Sequence, residues 1–120
     1  MIYKSCLGTE YEVRPFFSKY ISNGSIALVL VGEKEYEGQR IATLTVNLDG
    51  TPPKGCAYLD TNNCEDAERF VVENGLAKPM NIYKRSGYCE YPLYRFNDEL
   101  VKRFKDLNSL LIALNFVFNV

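Results

Sequence analysis

At 120 residues, 47% of them hydrophobic, the chain has the length of one domain and enough apolar material for a packed core, which excludes a disordered chain. Its formal net charge of −1 argues against bulk electrostatic attraction to nucleic acid. It contains no histidine, which excludes Ser/His/Asp and Cys/His nucleophilic sites and the usual zinc-hydrolase ligand sets.

In chain order, residues 1–10 read as a loose lead-in or a short edge strand. Residues 11–20 are a strand candidate, with Tyr11, Val13 and Phe17 on one side and Glu12, Arg14 and Phe16 on the other. Pro15 points to an edge or a bulge, because it has no N–H to give a ladder. Ser22-Asn23-Gly24-Ser25 is a hairpin turn signal, and residues 26–31 are apolar on both faces, as in a central strand. A charged loop, Glu33-Lys34-Glu35-Tyr36-Glu37-Gly38, leads into residues 41–48, where Ala42, Leu44, Val46 and Leu48 alternate with polar residues. Asp49-Gly50-Thr51-Pro52-Pro53 ends that strand, and a shorter one follows at 56–59.

A helix is predicted over 64–74. Asn62 stands as its cap, Glu65 as the capping-box carboxylate, and Cys64, Ala67, Phe70 and Val71 as its apolar face. Asn74-Gly75 is its stop, with Gly75 in the left-handed region and Leu76 folded back onto Val71. Residues 78–82 read as a tether. Residues 83–96 are rich in tyrosine and read as extended structure interrupted at Pro92. Asn97 caps a second helix whose buried stripe is Leu100, Val101, Phe104, Leu107 and Leu111. The expected architecture is a single α+β domain, 1–120: an antiparallel meander sheet of four to five strands with two helices packed on it.

The charge is uneven along the chain. Residues 1–77 hold seven basic and eleven acidic side chains, and residues 78–120 hold seven and four, so a net −4 precedes a net +3. The start, Met1-Ile2-Tyr3-Lys4, has no apolar leader after it, and no apolar run reaches the roughly 20 residues of a membrane helix. A cytoplasmic protein with reduced thiols is expected. The four cysteines lie 50, 8 and 25 residues apart without a C-x2-C pair, so they read as buried thiols rather than a metal site. Cys64, at a helix start, is the one thiol whose pKa the dipole can lower. The carboxylates Glu65, Asp66, Glu68 and Glu73 read as capping and solvation of a polar face, with a divalent-ion site as the alternative.

No catalytic residue, cofactor or metal ligand is assigned, and the chain is not expected to be an enzyme. Candidate partner contacts are the acidic turn, Glu33, Glu35 and Glu37, and the aromatic and basic stretch Tyr83, Lys84, Arg85, Tyr88, Tyr91, Tyr94 and Arg95. The second group also suits stacking on single-stranded bases, though packing of the tyrosines is the simpler account. The apolar segment 110–118 either finishes the core or joins the chain to a second copy or another partner.

The strings ATLTVNL (42–48), AYLDTNN (57–63), VENGL (72–76) and SGYCEYPLYRF (86–96) resemble an uncharacterised bacterial and phage family, Domain of Unknown Function 4313. The resemblance covers about residues 9–97 and implies a small single-domain protein of phages, plasmids and conjugative elements of gut Firmicutes. The family supplies no catalytic residues. The implied function is that of a non-enzymatic binding protein of a mobile genetic element, of the anti-CRISPR kind, inhibiting a Cas nuclease such as Cas9 in the bacterial cytoplasm. The alternative is an accessory factor for element replication or transfer that binds single-stranded nucleic acid.

Overall fold

A computed structural model describes residues 1–105. Two antiparallel four-stranded sheets and two short helices make an α+β fold. The first sheet is a meander of β1 (Ile2–Lys4), β2 (Glu10–Lys19), β3 (Ile26–Gly32) and β4 (Arg40–Thr43). The second takes β5 (Thr45–Val46), β6 (Cys56–Leu59), β7 (Ala77–Ser86) and β8 (Cys89–Phe96) in the order β5-β6-β8-β7. Helix α1 (Ala67–Glu73) joins β6 to β7, and α2 (Asp98–Arg103) follows β8.

The α+β class and the opening meander are as expected, with the strands shared between two sheets. The division falls inside the segment read as one strand over 41–48. The N–H of Leu44 donates to Leu28 O of β3 at 2.9 Å, and its C=O accepts from Asp60 N at 2.8 Å, beside β6. One residue thus passes the chain from the first sheet to the second. The next residue secures the crossing, since Leu28 N donates to Thr45 Oγ1 (3.1 Å) and the Tyr20 hydroxyl reaches both Thr45 O (3.1 Å) and Thr45 Oγ1 (3.0 Å).

Strand β3 is apolar on both faces and buried on both: Leu28 and Leu30 join the main core, while Ala27, Val29 and Val31 on the other face are also fully buried. Pro15 sits within β2 without disturbing its ladder to β3. The N–H groups of Val13 and Phe17 point away from β3, to Met1 O and Phe104 O, and Pro15 shares their side of the alternation. The main core joins Val13, Phe17 and Leu28 of the first sheet to Leu59, Tyr94 and Phe96 of the second, with Phe70 and Val71 of α1 beneath them. Edge-to-face ring pairs, Phe17–Phe96 at 5.7 Å and Tyr3–Phe70 at 5.9 Å, join these layers.

The first helix begins later than predicted. Asn62 does not cap it, and the capping box with Glu65 is not formed. Asp60 takes over the local backbone: its side chain accepts from Asn63 N and its C=O from Cys64 N, making turns that delay the helix to Ala67. Asp66 then stands at the cap position, but its carboxylate serves Lys4 N and the Arg69 guanidinium instead. The stop is as predicted: Gly75 has φ +68, and Leu76 N donates back to Val71 O at 2.8 Å. Asn97 caps α2 through its side chain, which accepts from Glu99 N and Leu100 N at 3.0 and 3.2 Å. Val101 of its stripe is buried and Leu100 and Phe104 are half-buried; Leu107, Leu111 and the apolar segment 110–118 lie outside the described residues.

Candidate functional site

The hairpin of β7 and β8 carries three exposed large apolar side chains, Ile82, Tyr83 and Tyr88. The stretch 78–82, expected as a tether, is strand. Pairing runs Ala77↔Phe96 to Pro79↔Tyr94, then shifts and resumes from Tyr83↔Pro92 to Ser86↔Cys89. The shift leaves two extra residues in β7, with Asn81 in the left-handed region at φ +57. The third strand, β6, pairs with β8 only from Leu93 inward. Residues 80–91 therefore extend past the sheet as a two-stranded arm. Pro92 stands where this open edge begins, and it has no N–H to donate to a neighbouring strand. Gly87, at φ +61, permits the two-residue turn at the tip.

The arm displays apolar surface. Tyr88 at the tip is fully exposed, Tyr83 is 61% exposed and Ile82 48%. Its cations are engaged. The Lys84 ammonium donates to Asp49 O of the loop after β5, which ties the arm to the body. Arg85 faces Glu90 across the ladder at 3.9 Å, both exposed. Tyr91 is half-buried. Tyr94 corrects the sequence expectation of a contact residue: it is buried and its hydroxyl donates to Glu68 Oε1 at 2.7 Å. Burial and the Glu68 carboxylate both push this phenol well above its ordinary range. Arg95 is exposed on β8, on the face opposite to Tyr94.

The acidic turn belongs to the first sheet. Glu33 N donates to Glu12 O at 2.9 Å, and the Lys34 ammonium pairs with the Glu12 carboxylate at 2.9 Å. Glu35 and Glu37 are exposed, and Tyr36 packs edge-on against Tyr11 at 4.9 Å. The turn joins strands of the first sheet and the arm belongs to the second, and among the described residues no hydrogen bond or ion pair joins the two predicted contact groups.

The thiols are all free, with Cys56 and Cys64 buried. Cys64 precedes α1 instead of lying within it, and its Sγ donates to Thr43 O at 3.4 Å. Burial pushes its pKa up, the reverse of the lowering expected at a helix start. Among the described residues, no three Cys, Asp or Glu side chains gather as a metal site would require.

The family model described as "Domain of unknown function (DUF4313)" matches residues 16–112, running from the last part of β2 through α2 and including the whole arm. The chain belongs to this family. No curated protein and no solved structure matches it. The DUF4313 match begins at Phe16, so β1 and the first part of β2 fall outside it. Among the described residues, no helix is long and apolar enough to cross a membrane.

Ile82 is the arm residue that sequence reasoning missed. Almost all of β7 is exposed, so it lacks the alternation that marks a half-buried strand. The available clue was that Met80 and Ile82 flank Asn81, two apolar side chains on either side of a residue type that tolerates positive φ.

Proposed function

We propose that this protein is a non-enzymatic binding protein of a mobile genetic element, that it docks the β7–β8 arm on a protein partner, and that this partner is a CRISPR effector nuclease such as Cas9. The arm carries the reading. It presents Ile82, Tyr83 and Tyr88 on a two-stranded hairpin that Lys84 ties to the body, which suits tyrosine anchors entering a groove on a partner. The choice of a host-defence nuclease as partner rests on the mobile-element setting that the family resemblance implies.

The alternative, binding of single-stranded nucleic acid by the same arm, draws less support. Stacking on bases needs neighbouring free cations for the backbone, and here Lys84 is tied to Asp49 O and Arg85 is opposite Glu90. The test is co-elution of the purified chain with purified Cas9, with and without guide RNA, alongside protection of phage from targeting in cells. The expected result is a complex that a Y83A/Y88A double variant weakens by tenfold or more, about 1.4 kcal/mol. Neither co-elution nor protection would remove the reading.

A further inference from the structure

A concavity of about 400 Å³ lies between the β2–β3 turn, the loop before β6 and α2, and its charge is one-sided. Lys19, Lys54, Lys102 and Lys105 line it, and Asp98 is the one carboxylate among its lining residues. None of the four ammonium groups has an ion pair among the described residues. Three cations elsewhere do have an acidic partner: Lys34 with Glu12, Arg69 with Asp66 and Glu73, Arg85 with Glu90. What sets the concavity apart is that four lysines share one hollow. Lys105 is held below the ordinary lysine range by burial and by the Lys19 ammonium, so like charges face one another across the hollow, with Asp98 the one carboxylate among its lining residues. An anion seated there relieves that repulsion.

The shape narrows the class of anion. The volume is that of a small-ligand pocket, and much of its wall is apolar, from Ile26, Pro52, Pro53 and Val101. Lysines without an arginine fork hold phosphate as point charges rather than clasping a planar carboxylate. We infer that this concavity binds a nucleotide, free or within a single strand, with its phosphate among the four lysines and its base against the proline and valine wall. The site is separate from the arm: loop residues from Thr51 onward line it, whereas Asp49 holds Lys84 of the arm.

The test titrates the full chain with a fluorescent adenosine 5′-monophosphate analogue, a labelled short oligothymidylate and a labelled glutamate-rich peptide, at low and moderate salt. Engagement of three or four lysines by the strand gives a slope of log K on log salt of about −2 to −3, roughly a thirtyfold loss for each fourfold rise in salt. K54E and K105E should each weaken binding about tenfold and reduce the slope by about 1, while K78E and Y83A/Y88A leave it unchanged. Circular dichroism checks each fold, and the loop position of Lys54 keeps one variant clear of any helix. Binding of the oligonucleotide alone assigns the site to a strand, and of the mononucleotide to a free ligand. Absence of both at low salt, tighter binding of the acidic peptide, or parental affinity in both lysine variants overturns the inference. Y83A/Y88A separates the two proposals, because it is expected to weaken partner docking tenfold or more without altering nucleotide binding.

Discussion

Replacing Thr45 by valine should destabilise the protein by about 2–3 kcal/mol, although the two side chains have nearly the same shape. Thr45 is 3% exposed, and its hydroxyl oxygen accepts from the N–H of the fully buried Leu28 at 3.1 Å. Valine fills the space but leaves that N–H without a partner, and an orphaned buried donor costs about 1–3 kcal/mol. The Tyr20 hydroxyl also loses its contact with Thr45 Oγ1, but keeps the Thr45 carbonyl at 3.1 Å. Y20F is the milder change, at about 1 kcal/mol, since Leu28 N then still has its acceptor. The double variant should cost less than the sum, because the two single changes remove one shared hydrogen bond. Urea unfolding followed by circular dichroism reads this directly: at a slope of about 1.5–2 kcal/mol per molar, T45V lowers the midpoint by about 1–2 M. A T45V protein within about 0.5 kcal/mol of the parent, or one more stable than Y20F, would refute the argument.

Three further outcomes are expected. A Cβ added at Gly32 meets the Tyr36 backbone oxygen, so G32A should displace the 33–37 turn and cost about 1–3 kcal/mol, read as a lowered melting temperature. Hydrogen bonds from Arg69, outweighing burial and helped by Lys4 N, hold the Asp66 carboxyl below its ordinary value of 3.8. A carboxyl depressed in the folded state stabilises above its unfolded value, and that share is lost as pH falls through the folded one. D66N should therefore cost about 1–2 kcal/mol near neutral pH and flatten the loss of stability below about pH 4, seen by repeating urea unfolding across the acid range. Burial pushes the phenols of Tyr3, Tyr20 and Tyr94 above their ordinary value of 10.0. Their contribution is complete below that value and is lost as pH rises past it, so tyrosinate absorbance for these three should appear only together with alkaline unfolding.

Where local chemistry alone decides an element, the sequence is readable. Asn97 needs only its own amides two and three residues on, and Gly75 only its freedom at positive φ, and both act as read. Asn62 fails as a cap because a competitor two residues earlier, Asp60, captures the backbone first. The break at Leu44 is invisible to periodicity, since Leu44 continues the alternation while its N–H and C=O change sheets. The exposed tyrosines of the arm were legible as a group, yet Tyr94 looks like Tyr83 in sequence and is separated from it only by tertiary burial. The lysine-lined concavity draws on positions 19, 54, 102 and 105, which form no run along the chain, so nothing in the sequence groups them.

The double commitment of Leu44 bears on how the molecule comes apart. Loosening the meander releases the Leu44 amide, and loosening the neighbouring sheet releases its carbonyl; the two events strip order from adjacent peptide units that meet at one Cα. Fraying cannot stop at a boundary between the sheets, because the boundary is a single residue that both require. Amide hydrogen exchange at Leu28, Leu44 and Asp60 should therefore report one shared opening energy rather than three, a cooperative unit built across two sheets by one leucine.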